Sequence, residues 1–408
     1  MKLELSAAHA RRFVVARHLL APPRALPRSP ASVLEVIRRL GSLQFDPLVY
    51  PGAKSHDLVL HARIDGYRVG DCEALLYGAP GDRRLFEAYN KSLNILPIED
   101  MPYHRVSWER AAARYEERVF RARAAAVELV FTRLDAEGPL TTDAFKDMSA
   151  RIDWHWGPTP EGRAVLEALF EAGHVGIARR DGAKRAFDRA SRLFPGQHLD
   201  ARVTVDEARA HRLLSRHRGV GLMGASGASE LVLGLGDAAA RAKSLSTLID
   251  SGAITEVRVE GLKRPRYVLT EELPIVERTS SARRSAGGVA FIAPLDPLLW
   301  DRRLLEGLFG FDYKWEVYTP ESKRRWGYYV LPILFRDAFV GRIEPRMDRA
   351  EERLHLEHLS FEEGFDPTES RFARAFHAAL EAYRRLVDAR AIVWPRTRAA
   401  RALRAAAT

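Results

Sequence analysis

The sequence predicts an α+β chain in which tandem winged-helix (helix-turn-helix) units precede a small antiparallel β-barrel and a C-terminal helix. Three observations carry that expectation. A pattern of amphipathic helix, glycine stop, short strand, glycine turn and paired basic residues occurs twice, 79 residues apart. After Gly287-Gly288 the chain changes to short runs of aromatic and β-branched residues at regular spacing. A last helical run, Ser370 to Ala389, puts Phe372, Phe376, Leu380 and Tyr383 on one face. The expected segments are winged-helix units at residues 121–200 and 201–280, a barrel at 281–365, and a C-terminal helix with an Arg/Ala tail at 366–408, behind a first unit at 1–120.

In chain order, Ser6 to Leu20 reads as a helix, and a link containing Pro22, Pro23, Pro27 and Pro30 follows. Ser32 with Glu35 reads as a capping box opening a second helix, whose buried stripe is Val33, Ile37 and Leu40. Leu85 to Tyr89 and Leu93 to Leu96 read as short buried strands, and Tyr103 to Ala126 as a charged helix. The repeat aligns Leu166, Leu169, Gly173, Val175 and Gly182 with Leu245, Leu248, Gly252, Ile254 and Gly261. Its basic pairs are Lys184-Arg185 and Lys263-Arg264. Each helix ends at a C-terminal glycine, and each second glycine reverses a hairpin. Upstream helices are expected at Ala124 to Glu137 and Thr141 to Met148 for one copy, and at Thr204 to His217, with Thr204 and Glu207 as a capping box, for the other. The barrel strands are expected at Gly288 to Pro294, Phe311 to Thr319, Trp326 to Phe335, Phe339 to Glu344 and Leu354 to Leu359. The segment after Trp394 is expected to fray.

Composition narrows the functional classes. A single Cys72 cannot form an internal disulfide, which suits a reducing compartment and excludes a Cys-type zinc site. No run is long and apolar enough to span a bilayer, so a cytoplasmic protein without membrane partners is expected. The charge is basic, 64 Lys and Arg against 54 Asp and Glu, which favours polyanionic partners. Most of that excess is local, because the stretch from Arg371 to Thr408 alone carries a net +7 of the total +10.

The stretch on which a site can be built is Ser42-Leu43-Gln44-Phe45-Asp46-Pro47. If extended, it sends Gln44 and Asp46 to one face and Leu43 and Phe45 into the core, and Pro47 biases Asp46 toward extended geometry. That is a polar pair on an apolar platform, or a plain strand end. Other motifs weigh less. Gly219-Val220-Gly221-Leu222-Met223-Gly224 follows a helix, not the strand a dinucleotide fingerprint needs. Gly224-Ala225-Ser226-Gly227-Ala228 lacks the last glycine of a nucleophile elbow. His56 and His61 lack further obvious ligands, so no metal is expected. Lys323-Arg324-Arg325, beside Trp326-Gly327-Tyr328-Tyr329, is either a solvated hairpin tip or a basic finger suited to DNA phosphates. Asn90-Lys91-Ser92 is a turn, or lines the same cleft as Gln44 and Asp46.

Four blocks together resemble a known family. They are Gly41 to Pro47, Arg84-Leu85-Phe86-Glu87-Ala88-Tyr89-Asn90-Lys91-Ser92-Leu93, Leu298-Leu299-Trp300-Asp301-Arg302, and the run from Tyr318 to Leu334. In order and over nearly the whole chain, they are similar to the winged-helix DNA glycosylases that act on bulky alkylated bases and interstrand crosslinks. The resemblance implies three winged-helix units before the barrel. It implies catalytic roles for Gln44 and Asp46, matching the form of the family signature in which a Gln, an apolar residue and an Asp follow one another. Read from the basic pattern rather than from the resemblance, the residues expected to contact DNA are Lys184 and Arg185, Lys263 and Arg264, the finger Lys323, Arg324 and Arg325, and Lys91. The expected partner is double-stranded DNA carrying alkylated bases or crosslinks, the expected protein a monomer, and no cofactor is expected.

The chemistry implied is hydrolysis of the N-glycosidic bond. An N7-alkylated purine leaves as a neutral base, so the sugar needs only an anion and a water. Asp46 would supply the charge and Gln44 would place the water, leaving an intact abasic site. A crosslinked base cannot flip freely, so an open site is expected. The alternative is a non-catalytic winged-helix DNA-binding protein or transcriptional regulator, which has no need of Gln44 and Asp46 and would prefer a DNA sequence.

Overall fold

The structure is a computed structural model describing residues 3–155, 157–226, 229–280 and 287–406. The expected boundary at 281 and the pair Gly227-Ala228 therefore lie outside the described residues. The chain forms two compact units, one from Met1–Cys72 with Leu213–Thr408 and one from Glu73–Arg212. The expected first segment, residues 1–120, thus contributes to both.

In the unit built from Glu73–Arg212, Leu85–Tyr89 and Leu93–Pro97 form an antiparallel hairpin whose turn is Asn90-Lys91-Ser92. The expected helix from Tyr103 to Ala126 is interrupted. It runs Met101–Tyr115, opens into a π-helical turn at Glu116–Arg121, and resumes at Ala124–Glu137. Thr142–Phe145 is a single 3₁₀ turn rather than a helix, with Thr141 capping it through the Asp143 N–H. The helix Glu161–Glu171 then leads into the hairpin Val175–Asp181 and Lys184–Arg189, around a core that includes Val165, Leu169, Phe170, Ile177 and Phe187.

The other unit repeats the plan. The helix Val205–Val220, whose residues up to Arg212 still belong to the unit Glu73–Arg212, opens on the expected capping box, with Thr204 and Glu207 exchanging backbone and side-chain hydrogen bonds of 2.7 and 3.2 Å. The helix Ala238–Asp250 precedes the hairpin Ile254–Val259 and Arg266–Leu269. In both copies a two-residue strand pairs antiparallel with the returning strand: Leu140–Thr141 in one and Met223–Gly224 in the other. Leu3–Leu5 adds a parallel edge strand to the second copy.

The barrel expectation is corrected to a half-barrel. Val289–Phe291, Leu331–Phe335, Ala338–Asp348, Arg353–Phe361 and Ala391–Val393 pair in that order and leave the sheet open. Register shifts at Ile333/Leu334 and Glu344/Pro345 bend it. The expected strand Phe311 to Thr319 is irregular because Glu316, rather than a neighbouring strand, takes the backbone N–H groups of Arg325, Trp326 and Gly327. The helix Ser370–Leu386 covers the sheet with the expected face, Phe372 meeting Phe335 at 5.2 Å and Phe376 meeting Phe291 at 5.5 Å.

Two further expectations are corrected. The second helix starts early, at Pro30, with Ser29 accepting the Ser32 N–H, because proline suits the first helical position and needs no donor there. The tail is folded: Arg398–Ala405 is a helix capped by Thr397, with Ala400 and Leu403 fully buried and the Leu403 carbonyl bonded to His377. None of the described helices is long and apolar enough to cross a membrane.

Candidate functional site

Gly41 sets the direction in which the motif leaves its helix. The helix Pro30–Leu40 ends there in the left-handed region, at φ 74°, and a side chain would meet the Ser215 carbonyl at 2.7 Å. Only glycine combines that φ with that approach. Leu43–Gln44 is then a short strand, and burial alternates along it: Leu43 and Phe45 are in the core while Gln44 and Asp46 are half-buried. Burying Leu43 and Phe45 is worth roughly 2 kcal/mol each, which anchors the polar pair against its tendency to move into water.

Asp46 turns back on its own backbone, its Oδ1 accepting the Leu48 N–H at 2.9 Å. Burial raises its carboxyl above the ordinary range, and the Leu48 N–H offsets part of that. Phe45 lies against the His56 ring at 5.6 Å, and Lys54 Nζ sits 5.9 Å from the Phe45 centroid. His56 belongs to Ser55–His61, a helix whose seven residues are all buried. Its Nε2 is 3.8 Å from Asp57 Oδ2, beyond hydrogen-bond reach. From the half-barrel comes Tyr329, 0 % exposed, its ring 6.4 Å from Tyr50 and 5.7 Å from Trp315. Its phenol is pushed up by burial and further by the Asp46 carboxylate.

Around the motif, buried polar atoms go unpaired. Gln44 Oε1, Ser55 Oγ, both ring nitrogens of His56 and Tyr329 Oη have no hydrogen-bond partner among the described residues. Such groups cost about 1–3 kcal/mol each when dry, and the contact of Phe45 with His56 brings together the two segments that carry most of them, the motif and the helix Ser55–His61. The sequence points to Gln44 and Asp46 but not to Ser55 or Tyr329, and it raises His56 only as one of two histidines too few for a metal site. Tyr329 did stand inside a quoted block, in a Gly-Tyr-Tyr run whose polar rings a pure sheet core does not need.

The basic residues fall into different situations. Lys91 is half-buried at the tip of the Leu85–Pro97 hairpin. Lys184 is paired with Asp143, and Arg185 lies 3.6 Å from Glu167 with its guanidinium over Phe187. Lys263 and Arg264 are exposed, Arg264 donating to Ser226 Oγ at 3.1 Å. Lys323 is exposed at a 3₁₀ turn, Arg324 donates to the Thr319 carbonyl at 2.9 Å, and Arg325 lies over Trp326 with its guanidinium 3.5 Å from Asp312. The loop behind them rests on buried carboxylates, Glu344 accepting from the Tyr328 and Tyr329 N–H groups at 2.7 and 2.9 Å.

His56 and His61 do not converge: His61 packs on Tyr383 instead. Among the described residues, Asp348, Glu351 and His355 form a group with metal-ligand spacing, on a surface turn where Asp348 already accepts the Ala350 and Glu351 N–H groups. It includes neither Gln44 nor Asp46.

A half-buried carboxylate with unpaired hydroxyl, amide and imidazole groups near it suits stabilisation of a positive centre and attack by water. Comparison with known proteins agrees in class. The fold is similar to that of the DNA glycosylase AlkZ of Streptomyces sahachiroi, with a TM-score of 0.64 at 17 % identity over 96 % of this chain and 99 % of that one. The family model described as DNA glycosylase AlkZ-like matches residues 37–386. The chain therefore belongs to the AlkZ-like DNA glycosylase family, whose chemistry is hydrolysis of the N-glycosidic bond.

Proposed function

We propose that this enzyme hydrolyses N7-alkylated purines from duplex DNA through Asp46 and Gln44, leaves an intact abasic site, and unhooks interstrand crosslinks of the same chemistry. The observation that carries the reading is the half-buried Asp46 carboxylate, set on the buried Leu43 and Phe45 and flanked by unpaired polar atoms. Alkylation at N7 makes the base a cationic leaving group. The C1′–N9 bond breaks with its electron pair going to the base, the water oxygen bonds to C1′, and the water's proton passes to Asp46. No amine nucleophile takes part, so the strand stays intact.

The repeated helix and hairpin, each with its third short strand, support reading residues 121–200 and 201–280 as winged-helix units, with a third at 1–120 by family likeness. A monomer working in the cytoplasm fits this reading. Incubation with duplex containing N7-alkylguanine should give alkali-labile sites and no breaks before alkali. Breaks without alkali would overturn the monofunctional assignment, and no release at all would overturn the substrate.

Duplex binding is assigned to Lys263, Arg264 and the loop Lys323–Arg325 rather than to all of the basic residues the sequence offers. Replacing Lys323, Arg324 and Arg325 by Ala should weaken binding and lower the salt slope by up to about 0.9 for each phosphate no longer engaged. Lys263→Ala with Arg264→Ala should act in the same direction. Lys184→Ala should leave the slope near wild type, since Asp143 already neutralises that ammonium. Titration of a fluorescent duplex at several salt concentrations reads all three, and an unchanged slope in the Lys323–Arg325 variant would remove that loop from the interface.

A further inference from the structure

Tyr329 is fully enclosed, and a tyrosine hydroxyl in such a place nearly always has a partner. This one has none among the described residues, although the backbone beneath it is fixed: the Tyr329 N–H is held by Glu344 at 2.9 Å, and the ring is braced by Tyr50 and Trp315. Ser55 Oγ is close enough to act on the phenol, but the pair does not reach hydrogen-bond geometry and that oxygen is unpaired too. A phenylalanine would fill the same space at no cost in packing. The hydroxyl is therefore retained at a cost to stability, on a ring that packs against Tyr50, four residues beyond Asp46, and in the field of the Asp46 carboxylate.

We propose that Tyr329 is a positioning residue of the hydrolytic site: with DNA bound, its hydroxyl donates to the attacking water while Asp46 accepts from that water, leaving a lone pair directed at the sugar carbon. Ser55 Oγ accompanies the phenol and orients its O–H. This deepens the reading of Asp46 given above and rests on it. A water needs two to four polar partners to be held in place, and a carboxylate alone leaves its orientation open. Gln44 Oε1 and Tyr329 Oη, both unpaired, can complete the set without first breaking an interaction in the protein.

The test is Tyr329→Phe in the full chain, with single-turnover base release, affinity for the lesion-bearing duplex and thermal unfolding measured on one preparation. Release should slow by about ten- to hundredfold, the range expected when a reacting group is misplaced rather than removed. Affinity should hold, and the melting temperature should stay level or rise, because an unpaired buried hydroxyl has been deleted. Ser55→Ala should slow release less. A wild-type rate in Tyr329→Phe would overturn the proposal, since the ring packing survives that change. So would a slow rate accompanied by a lowered melting temperature, which would show the hydroxyl to be structural. Asp46→Asn assayed in parallel separates the two readings: slow Asp46→Asn with normal Tyr329→Phe removes only the tyrosine, whereas normal rates in both remove the Asp46 site itself.

Discussion

Asp46→Asn is expected to slow single-turnover base release by about a hundredfold or more, roughly 3 kcal/mol, while duplex binding survives. The amide keeps the size of the side chain and can still accept the Leu48 N–H, so the turn at Pro47 has no reason to open. What disappears is the negative charge beside the sugar and the acceptor for the water's proton. Gln44→Ala should cost less, because an imperfectly held water still attacks. The pH dependence has a definite sign. Burial raises the Asp46 carboxyl, so the reactive anion is lost on acidification at a higher pH than for an exposed aspartate, and the acid limb of the rate should sit correspondingly high. Asp46→Asn should flatten that limb. The same shift acts on stability: what Asp46 contributes is present at low pH and lost as pH rises through its raised value. Asp46→Asn should therefore be at least as stable as wild type at neutral pH. Wild-type release by this variant would leave the motif as an ordinary strand end.

The parts of this molecule that were legible in the sequence are those governed by local rules. Alternation placed Leu43 and Phe45 inside and Gln44 and Asp46 at the boundary, and the glycines at 173 and 252 ended their helices in the left-handed region. The capping box at Thr204 needed only its two residues. What escaped depends on partners distant in sequence. Phe311 to Thr319 has strand composition, but a single carboxylate, Glu316, claims the backbone donors opposite it. Ala400 and Leu403 are too few to show as a periodic face, yet they suffice to dock the tail helix. Lys184-Arg185 looks like a basic wing tip until Asp143 and Glu167 are brought to it. The candidate site draws on residues 44–56 and on Tyr329, and nothing along the chain indicates that a phenol so distant in sequence will lie in the field of the Asp46 carboxylate. Family resemblance supplied the motif and the block containing Tyr329, but not their meeting.

The helix that carries Ser55 and His56 is held from below by a buried ion pair that should be costly to break. Arg63 and Asp296 are both 0 % exposed and meet as a fork, with N–O distances of 2.8 and 3.0 Å. The remaining donors of Arg63 go to the His18 and Val59 carbonyls at 2.8 Å, and Asp296 Oδ1 also caps the Leu298 N–H at 3.0 Å. Every polar atom of the pair is thus used, and the fork fixes the end of the helix Ser55–His61 to the segment before Pro297–Leu299. Asp296→Ala leaves a guanidinium enclosed without its counter-ion, a change that costs about 3–5 kcal/mol. In urea unfolding followed by near-UV circular dichroism, the midpoint should fall sharply. Asp296→Asn should lose less, since it retains the cap on Leu298 and one acceptor for Arg63. Removing both charges, Arg63→Met with Asp296→Leu, should be less harmful than the two single changes added together, because no unpaired ion remains to be buried. An additive double variant would mean that the charges do not act as a unit. If the pair does hold the helix, Asp296→Asn should also slow base release without altering duplex affinity, because Ser55 lies on the element whose anchor has been loosened and the DNA-binding surface does not.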